Sequence, residues 1–321
     1  MKEVLKGLKD SGARSGMGGM ALYLARKSLD CICVASSKVL YVLITFISGT
    51  TGVDLSRTIN GSKMVVKKGE RGIHEELILY GKRERFSTDF LAGMIQNDDV
   101  IVDIGANVGY YALLEGRIAT HGRVFAVEPV AGNMSVLKTN IEANQLHNIT
   151  THPIAIGDRI GKATIFVCDH CNWSSPINNY PERVVDKQIV EMEPLDTFIE
   201  RVVQERPSLV RMDVEGYEAA VMRGAAQYLE GNGESRIFVE IHPSLLAPQE
   251  FEQLISGLRE NGYKVDAVFR EFSPGYKRWF GPIYSLIDRL DTGVGFGYAG
   301  SDYDAITKVA SLGTAHVFFS K

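Results

Sequence analysis

From Asp99 onward the apolar positions fall into short runs separated by stretches with helical spacing. Val100-Ile101-Val102-Asp103-Ile104 predicts a buried strand, residues 108–119 a helix, and Val124-Phe125-Ala126-Val127 a second strand. Residues 133–144 place Met134, Leu137 and Ile141 on one helical face, and 150–156 predict a third strand. The pattern continues with a helix over 195–203, a strand over 209–212, and a helix over 217–229 that aligns Ala220, Val221, Ala225 and Leu229. A strand at 236–241, a helix at 251–260 and strands at 263–269 and 316–319 complete it. Strands alternating with helices of this length imply a parallel sheet covered on both faces. The segment 270–312, rich in Gly and Tyr and holding Trp279 and Phe280, has neither period and reads as an irregular insertion of the lid or binding-loop kind.

The region before Asp99 is less regular. Residues 1 to about 60 read as two helical segments broken by the glycines between Gly12 and Gly19. Short runs at 63–66 and 77–80 read as strands, and 87–95 as a helix with Phe90, Leu91, Met94 and Ile95 on one side and Ser87 or Thr88 as N-cap. The expected division is a helical N-terminal extension over 1–75 and an α/β domain over 76–321. The run Val39–Ile47 lies too far from the start for the apolar core of a secretory signal. It is read first as a helix packed on the α/β domain; contact with a membrane through residues 31–48 is the alternative.

Composition changes this picture little. The chain has 321 residues, 45% apolar and 23% charged, as an ordinary globular protein does. A net charge of −4 leaves no basic excess, so no nucleic-acid partner is expected. The four cysteines, Cys31 with Cys33 and Cys168 with Cys171, are too few for a disulfide scaffold. A reducing compartment, the cytoplasm, is the default, with membrane association as the variant. Neither pair has a second ligand pair at zinc-finger spacing, so ordinary thiols are expected and no metal site is assigned.

The chemistry is concentrated at strand ends. Asp103-Ile104-Gly105-Ala106-Asn107-Val108-Gly109 is a glycine turn after the first strand of the α/β pattern, spaced G-x-N-x-G. The dinucleotide fingerprint uses its glycines to admit a pyrophosphate at a helix N-terminus. Here Asn107 replaces a glycine and Asp103 precedes the turn, which suits a ligand with a positive centre and no phosphate. Glu128 ends the next strand, where a carboxylate accepts hydrogen bonds from ribose hydroxyls. Asp158, after Ala155-Ile156-Gly157, is placed for an adenine edge, or is simply an acidic turn residue. Asp213 follows the strand at 209–212 and is expected at the reaction centre, because ligands of open α/β sheets lie at the carboxyl ends of the strands. Glu240 and His242 end the neighbouring strand on one side of it.

In their order along the chain these motifs resemble the FkbM family of methyltransferases: D-I-G-A-N-V-G-Y-Y at 103–111, V-E-P at 127–129, A-I-G-D-x-x-G at 155–161, P-L-D-T at 194–197, M-D-V-E-G-Y-E at 212–218, R-G-A at 223–225 and E-I-H at 240–242. The resemblance covers roughly residues 75–270. It implies a Rossmann-like class I methyltransferase fold, a seven-stranded mostly parallel sheet with the last strand antiparallel. It also implies S-adenosylmethionine as cofactor, with Asp103, Gly105, Asn107, Gly109, Glu128 and Asp158 as its binding residues. The expected activity is O-methylation of a hydroxyl on a glycan, a lipid-linked sugar or a natural product. His242 is the first candidate for general base, since an imidazole titrates near neutral pH. Asp213 or Glu240 would act in its place, orient it, or join it in holding a divalent metal, although nothing in the sequence indicates one. The competing readings are an NAD(P)-dependent Rossmann-fold oxidoreductase and a non-catalytic S-adenosylmethionine-binding protein.

Overall fold

The computed structural model describes residues 55–67, 70–272 and 295–321, with scattered residues of two helical stretches, 24–39 and 282–289. Most of the apolar run after Val39, and Trp279 and Phe280 of the expected insertion, lie outside the described residues. No helix among the described residues is long and apolar enough to cross a membrane.

The strands are β1 (Leu55–Ile59), β2 (Ser62–Val66), β3 (Val100–Ile104), β4 (Arg123–Val127), β5 (Ile149–His152), β6 (Ala155–Gly157), β7 (Gly161–Cys168), β8 (Val184–Pro194), β9 (Leu209–Met212), β10 (Arg236–Ile241), β11 (Lys264–Arg270), β12 (Gly297–Gly300) and β13 (Ala315–Ser320). The main sheet runs β12-β11-β13-β10-β9-β3-β4-β5. β5, β4, β3, β9 and β10 pair in parallel, and β13 enters antiparallel to both β10 and β11. The expected seven-stranded sheet with an antiparallel last strand is therefore present. β12 adds an eighth strand at the edge, from within the segment read as irregular, and the helix Tyr303–Ala310 also forms there. Asp302 caps that helix through the backbone N–H of Ala305.

The central strands are buried on both faces, which is why they read as continuous apolar runs rather than alternating ones. Phe238 and Phe318 stack at 4.1 Å across the β10–β13 pair, each fully buried, and each burial contributes about 1.5–3 kcal/mol. Three buried charged residues, Asp103, Arg211 and Glu240, break the pattern. Asp103 and Arg211 sit opposite one another on β3 and β9, both buried.

Several expected elements differ. Residues 77–80 belong to the helix Ile73–Tyr80, because Leu77-Ile78-Leu79-Tyr80 lacks strand alternation and Gly81 ends the helix in the left-handed conformation. The helix at 85–94 starts from Glu84 with no side-chain cap, so neither Ser87 nor Thr88 is its N-cap. Residues 55–59, inside the segment expected to be helical, form β1, which pairs with β2 at the position where a strand was expected over 63–66. Asn140 and Asn144 of the helix Ala131–Asn144 bind the backbone of β2 at Val65 and Lys63. The expected strand at 150–156 divides, since β6 leaves the main sheet for a small one ordered β6-β8-β7. The helix expected over 217–229 breaks into Glu218–Arg223 and Ala226–Glu230. At the break, Gly224 lies so close to β6 that a Cβ would stand 1.9 Å from the carbonyl oxygen of Gly157.

Candidate functional site

The strand order reverses direction between β3 and β9, the switch point where open α/β sheets form a ligand crevice. A cleft lies there, with Gly105, Asn107, Glu128, Asp213 and Glu215 in its lining. Gly105, at φ +80°, turns the chain out of β3 along its floor. A Cβ on Gly105 would stand 2.0 Å from the carbonyl oxygen of Asp213, so the two loops approach as closely as their backbones allow.

Glu128 lines the cleft and is only 4% exposed. Its Oε2 accepts the backbone N–H of Asn107 at 2.9 Å, and its Oε1 accepts that of Val130 at 2.9 Å and the Asn133 amide at 3.4 Å. Burial pushes its pKa up to about 7, against the opposing pull of these hydrogen bonds. Asn107 also donates its side-chain amide to the carbonyl of Cys171 at 3.1 Å, and Asn133 does the same at 3.2 Å. The connection between β7 and β8 is thereby tied over the cleft, where Asn172, Ser174 and Pro176 complete the wall. Cys168 and Cys171 are free thiols, and Cys171 enters this arrangement through its backbone.

The other end is acidic. Asp213 and Glu215 line the cleft. Behind them His242 is buried, with Nδ1 2.7 Å from Glu218 Oε1, and Nε2 3.6 Å from Glu215 Oε2 and 3.5 Å from Glu240 Oε1. Burial lifts Asp213 to about 7 and Glu215 to about 8; Glu240 adds to the first, and Asp213 and Glu240 add to the second. For Glu240 burial acts upward, yet the imidazoles of His316 and His242 outweigh it and hold the carboxyl well below its usual range. Burial alone would lower the His242 pKa, but Glu215, Glu218 and Glu240 raise it well above the ordinary imidazole value.

These positions sort the expected residues. Gly105, Asn107, Glu128 and Asp213 line one cleft. Asp103 does not; it is fully buried and ion-paired to Arg211 at 3.0 Å, so its carboxylate is spent inside the sheet. Gly109 faces Leu137 of the next helix rather than the cleft, and allows that close packing. Asp158 points outward to Arg223 at 3.0 Å and Arg159 at 3.2 Å, the surface position its alternative reading as a turn residue allowed. Glu240 and His242 sit behind the cleft lining, where Glu215, Glu218 and Glu240 surround the imidazole and raise its pKa. Arg211, Glu215 and Glu218 were not singled out from sequence. The signal for Arg211 was a lone charge within the apolar run Leu209-Val210-Arg211-Met212. It binds Asp103, the Gly105 carbonyl at 3.1 Å and Asp213 at 3.2 Å, and so couples the glycine turn to the acidic end.

The donor set can be tested against the ligand the motifs imply. Three carboxylates, Glu128, Asp213 and Glu215, line the cleft, and its described lining contains no lysine or arginine. Ile154, Ile156 and Ile165 supply an apolar wall. A diphosphate would face these acidic groups with no lysine or arginine in the described lining to bind it. A nucleoside carrying a sulfonium and an ammonium group meets complementary charge, with Glu128 as acceptor for ribose hydroxyls. The residues fit S-adenosylmethionine.

The sequence model of the Methyltransferase FkbM domain matches residues 103–265, just over half of the chain. The chain belongs to this family. It is 25% identical over 146 residues to Methyltransferase 1 of Beauveria bassiana, an overlap of 40% of this chain and 59% of that protein. It is 27% identical over 164 residues to the hexuronic acid methyltransferase AglP of Haloferax volcanii, covering 50% and 63%. The chain thus spans about three-fifths of the length of these relatives. A solved structure of M. jannaschii TYW2 in complex with AdoMet aligns at a TM-score of 0.41 and 13% identity over 85% of this chain and 89% of that one. In this FkbM chain the motifs at 103–111, 127–129, 155–161 and 212–218 each contribute residues to one cleft, while Asp103, Gly109, Asp158, Glu240 and His242 lie outside its lining.

Proposed function

We propose that the cleft binds S-adenosylmethionine and that the protein methylates a hydroxyl oxygen of a small acceptor, of the sugar or natural-product kind. The observation that carries this reading is the charge of the cleft: three lining carboxylates and no lysine or arginine among the described lining residues. When bound, S-adenosylmethionine supplies a methyl group activated by the sulfonium charge. Glu128 orients the ribose, and its hydrogen bonds to Asn107 and Val130 fix it before the ligand arrives. Asp213 and Glu215 set negative charge at the opposite end, where the acceptor meets the donor. They are the cleft carboxylates placed to take the acceptor's proton, with His242 behind them. The similarity to a hexuronic acid methyltransferase supports a sugar-type acceptor.

The rival oxidoreductase would place a diphosphate against Glu128, Asp213 and Glu215. Thermal denaturation with S-adenosylhomocysteine and, separately, NAD discriminates the two, because a ligand of the native state raises the melting temperature. The reading predicts a shift with S-adenosylhomocysteine alone, and a shift with NAD alone overturns it. A panel of sugar and polyketide alcohols assayed for a gain of one methyl group then separates an enzyme from a binding protein.

A further inference from the structure

We infer that Asp213, Glu215 and His242 form a site for one divalent cation of the Mg²⁺ or Mn²⁺ type at the acidic end of the cleft. One ligand atom from each of the three lies within 4.8 Å of the others. Ligands around such a cation at about 2.1 Å stand roughly 3–4 Å from one another. His242 Nε2 and Glu215 Oε2 are 3.6 Å apart, too long for a good hydrogen bond and suited to a shared ion.

The orientation of His242 is an independent sign. Its Nδ1 lies 2.7 Å from Glu218 Oε1, and Glu218 is fully buried and also accepts the backbone N–H of Gly216 at 3.1 Å. An imidazole that donates Nδ1–H to a buried carboxylate presents the Nε2 lone pair on its other side, the arrangement that orients metal-ligating histidines. That lone pair faces Glu215 and Glu240.

The cluster also contains acceptors with nothing to accept. Glu240 is only 8% exposed and leans on the same imidazole, yet its Oε2 has no hydrogen-bond partner; the buried Oδ1 of Asp213 has none either. Four carboxylates, Asp213, Glu215, Glu218 and Glu240, meet Arg211 and the imidazoles of His242 and His316. A buried acceptor without a donor costs about 1–3 kcal/mol, more for a charged group. A cation removes that cost and reaches solvent through the cleft that Asp213 and Glu215 line. Two carboxylates and one imidazole favour a hard cation over one that prefers thiolates.

The site itself stands on the geometry. Its role in the reaction rests on the reading given above: a divalent charge beside the acceptor hydroxyl lowers the pKa of that hydroxyl, so that its proton leaves near neutral pH. Asp213 and Glu215 then serve as ligands rather than as the base, and the proton passes to solvent through the cleft they line.

The experiment is a Mn²⁺ titration of the full chain without methyl donor, followed by electron paramagnetic resonance and calorimetry. Wild type is expected to saturate at one Mn²⁺ per chain and to release it to excess Mg²⁺. Glu215→Gln and Asp213→Asn are expected to abolish saturation, and Glu218→Gln to weaken binding roughly tenfold to a hundredfold. Glu191→Gln, on the exposed face of β8, should bind as wild type. Circular dichroism checks folding; should one ligand variant unfold, the other decides. Non-saturating binding by wild type, or equal binding by folded Glu215→Gln or Asp213→Asn, overturns the site. S-adenosylhomocysteine affinity, measured on the same samples, separates the two readings. Its absence with Mn²⁺ binding intact removes the donor reading alone, and the reverse result removes the cation alone.

Discussion

The two ends of the cleft hold negative charge in opposite ways. At the Glu128 end one carboxylate is fixed by two backbone N–H groups at 2.9 Å and a side-chain amide. At the Asp213 end four carboxylates share Arg211 and two imidazoles, with the His242 Nε2 contacts no closer than 3.5 Å. A fixed acceptor recognises a neutral donor such as a ribose hydroxyl, at no further cost in reorganisation. A loosely balanced acidic group holds protons or cations, and so suits the end where charge changes during a reaction.

The comparison predicts that substitutions at the two ends separate turnover from donor binding. Glu215→Gln should lower kcat by about a hundredfold or more, while S-adenosylhomocysteine affinity stays within about threefold of wild type. Single-turnover assays and calorimetry on the same sample check this, and parallel losses in both would erase the distinction. Gly105→Ala should destabilise the fold by about 2–4 kcal/mol and abolish donor binding, because its Cβ would overlap Asp213 from a positive φ. Denaturant unfolding measures the first effect and calorimetry the second.

Glu128→Gln should weaken S-adenosylhomocysteine by about tenfold to a hundredfold, the loss of a charge-assisted hydrogen bond, with kcat at saturating donor nearly unchanged. The same residue predicts a stability slope. Its folded pKa of about 7 lies above the ordinary value of 4.5, so the folded protein binds more protons between those values. The contribution of Glu128 to stability is therefore present below pH 4.5 and is lost as pH rises through 7, by about 3 kcal/mol at most. Chemical denaturation across that range should show a shallower slope in Glu128→Gln than in wild type.

Asn107→Gly keeps the positive φ of the turn while removing the amide that holds Cys171. It should cost about 1 kcal/mol and loosen donor binding severalfold. Asp158→Asn should change stability by less than about 0.5 kcal/mol and leave donor affinity alone, because its contacts are on the surface. A large effect there would return Asp158 to the cofactor site.

The sheet was legible because β3, β4, β9 and β10 are buried on both faces, and burial on both faces writes a mostly apolar run. The glycine turn and Glu128 were legible for the same local reason: they end such runs. What failed to read depended on contacts between distant segments. Asp103 looks like a cleft carboxylate until Arg211, 108 positions away, is found opposite it. Glu215 and Glu218 stand in the same short motif as Asp213, yet only the fold shows that they converge on His242. The three carboxylates around His242, which raise its pKa above that of an isolated imidazole, are likewise visible only in the fold. The β7–β8 hairpin carries a wall of the cleft, but Asn172, Ser174 and Pro176 of its connection are brought there only by the pairing of the two strands.

The most direct test of the central claim is S-adenosylhomocysteine affinity as a function of pH, measured by calorimetry in wild type and Glu128→Gln. With Glu128 ionising at about 7, wild-type affinity should rise about tenfold from pH 6 to pH 8 and stay flat in the variant. Equal, pH-independent affinity in the two proteins, or binding of NAD in place of S-adenosylhomocysteine, would contradict the assignment of this cleft to the methyl donor.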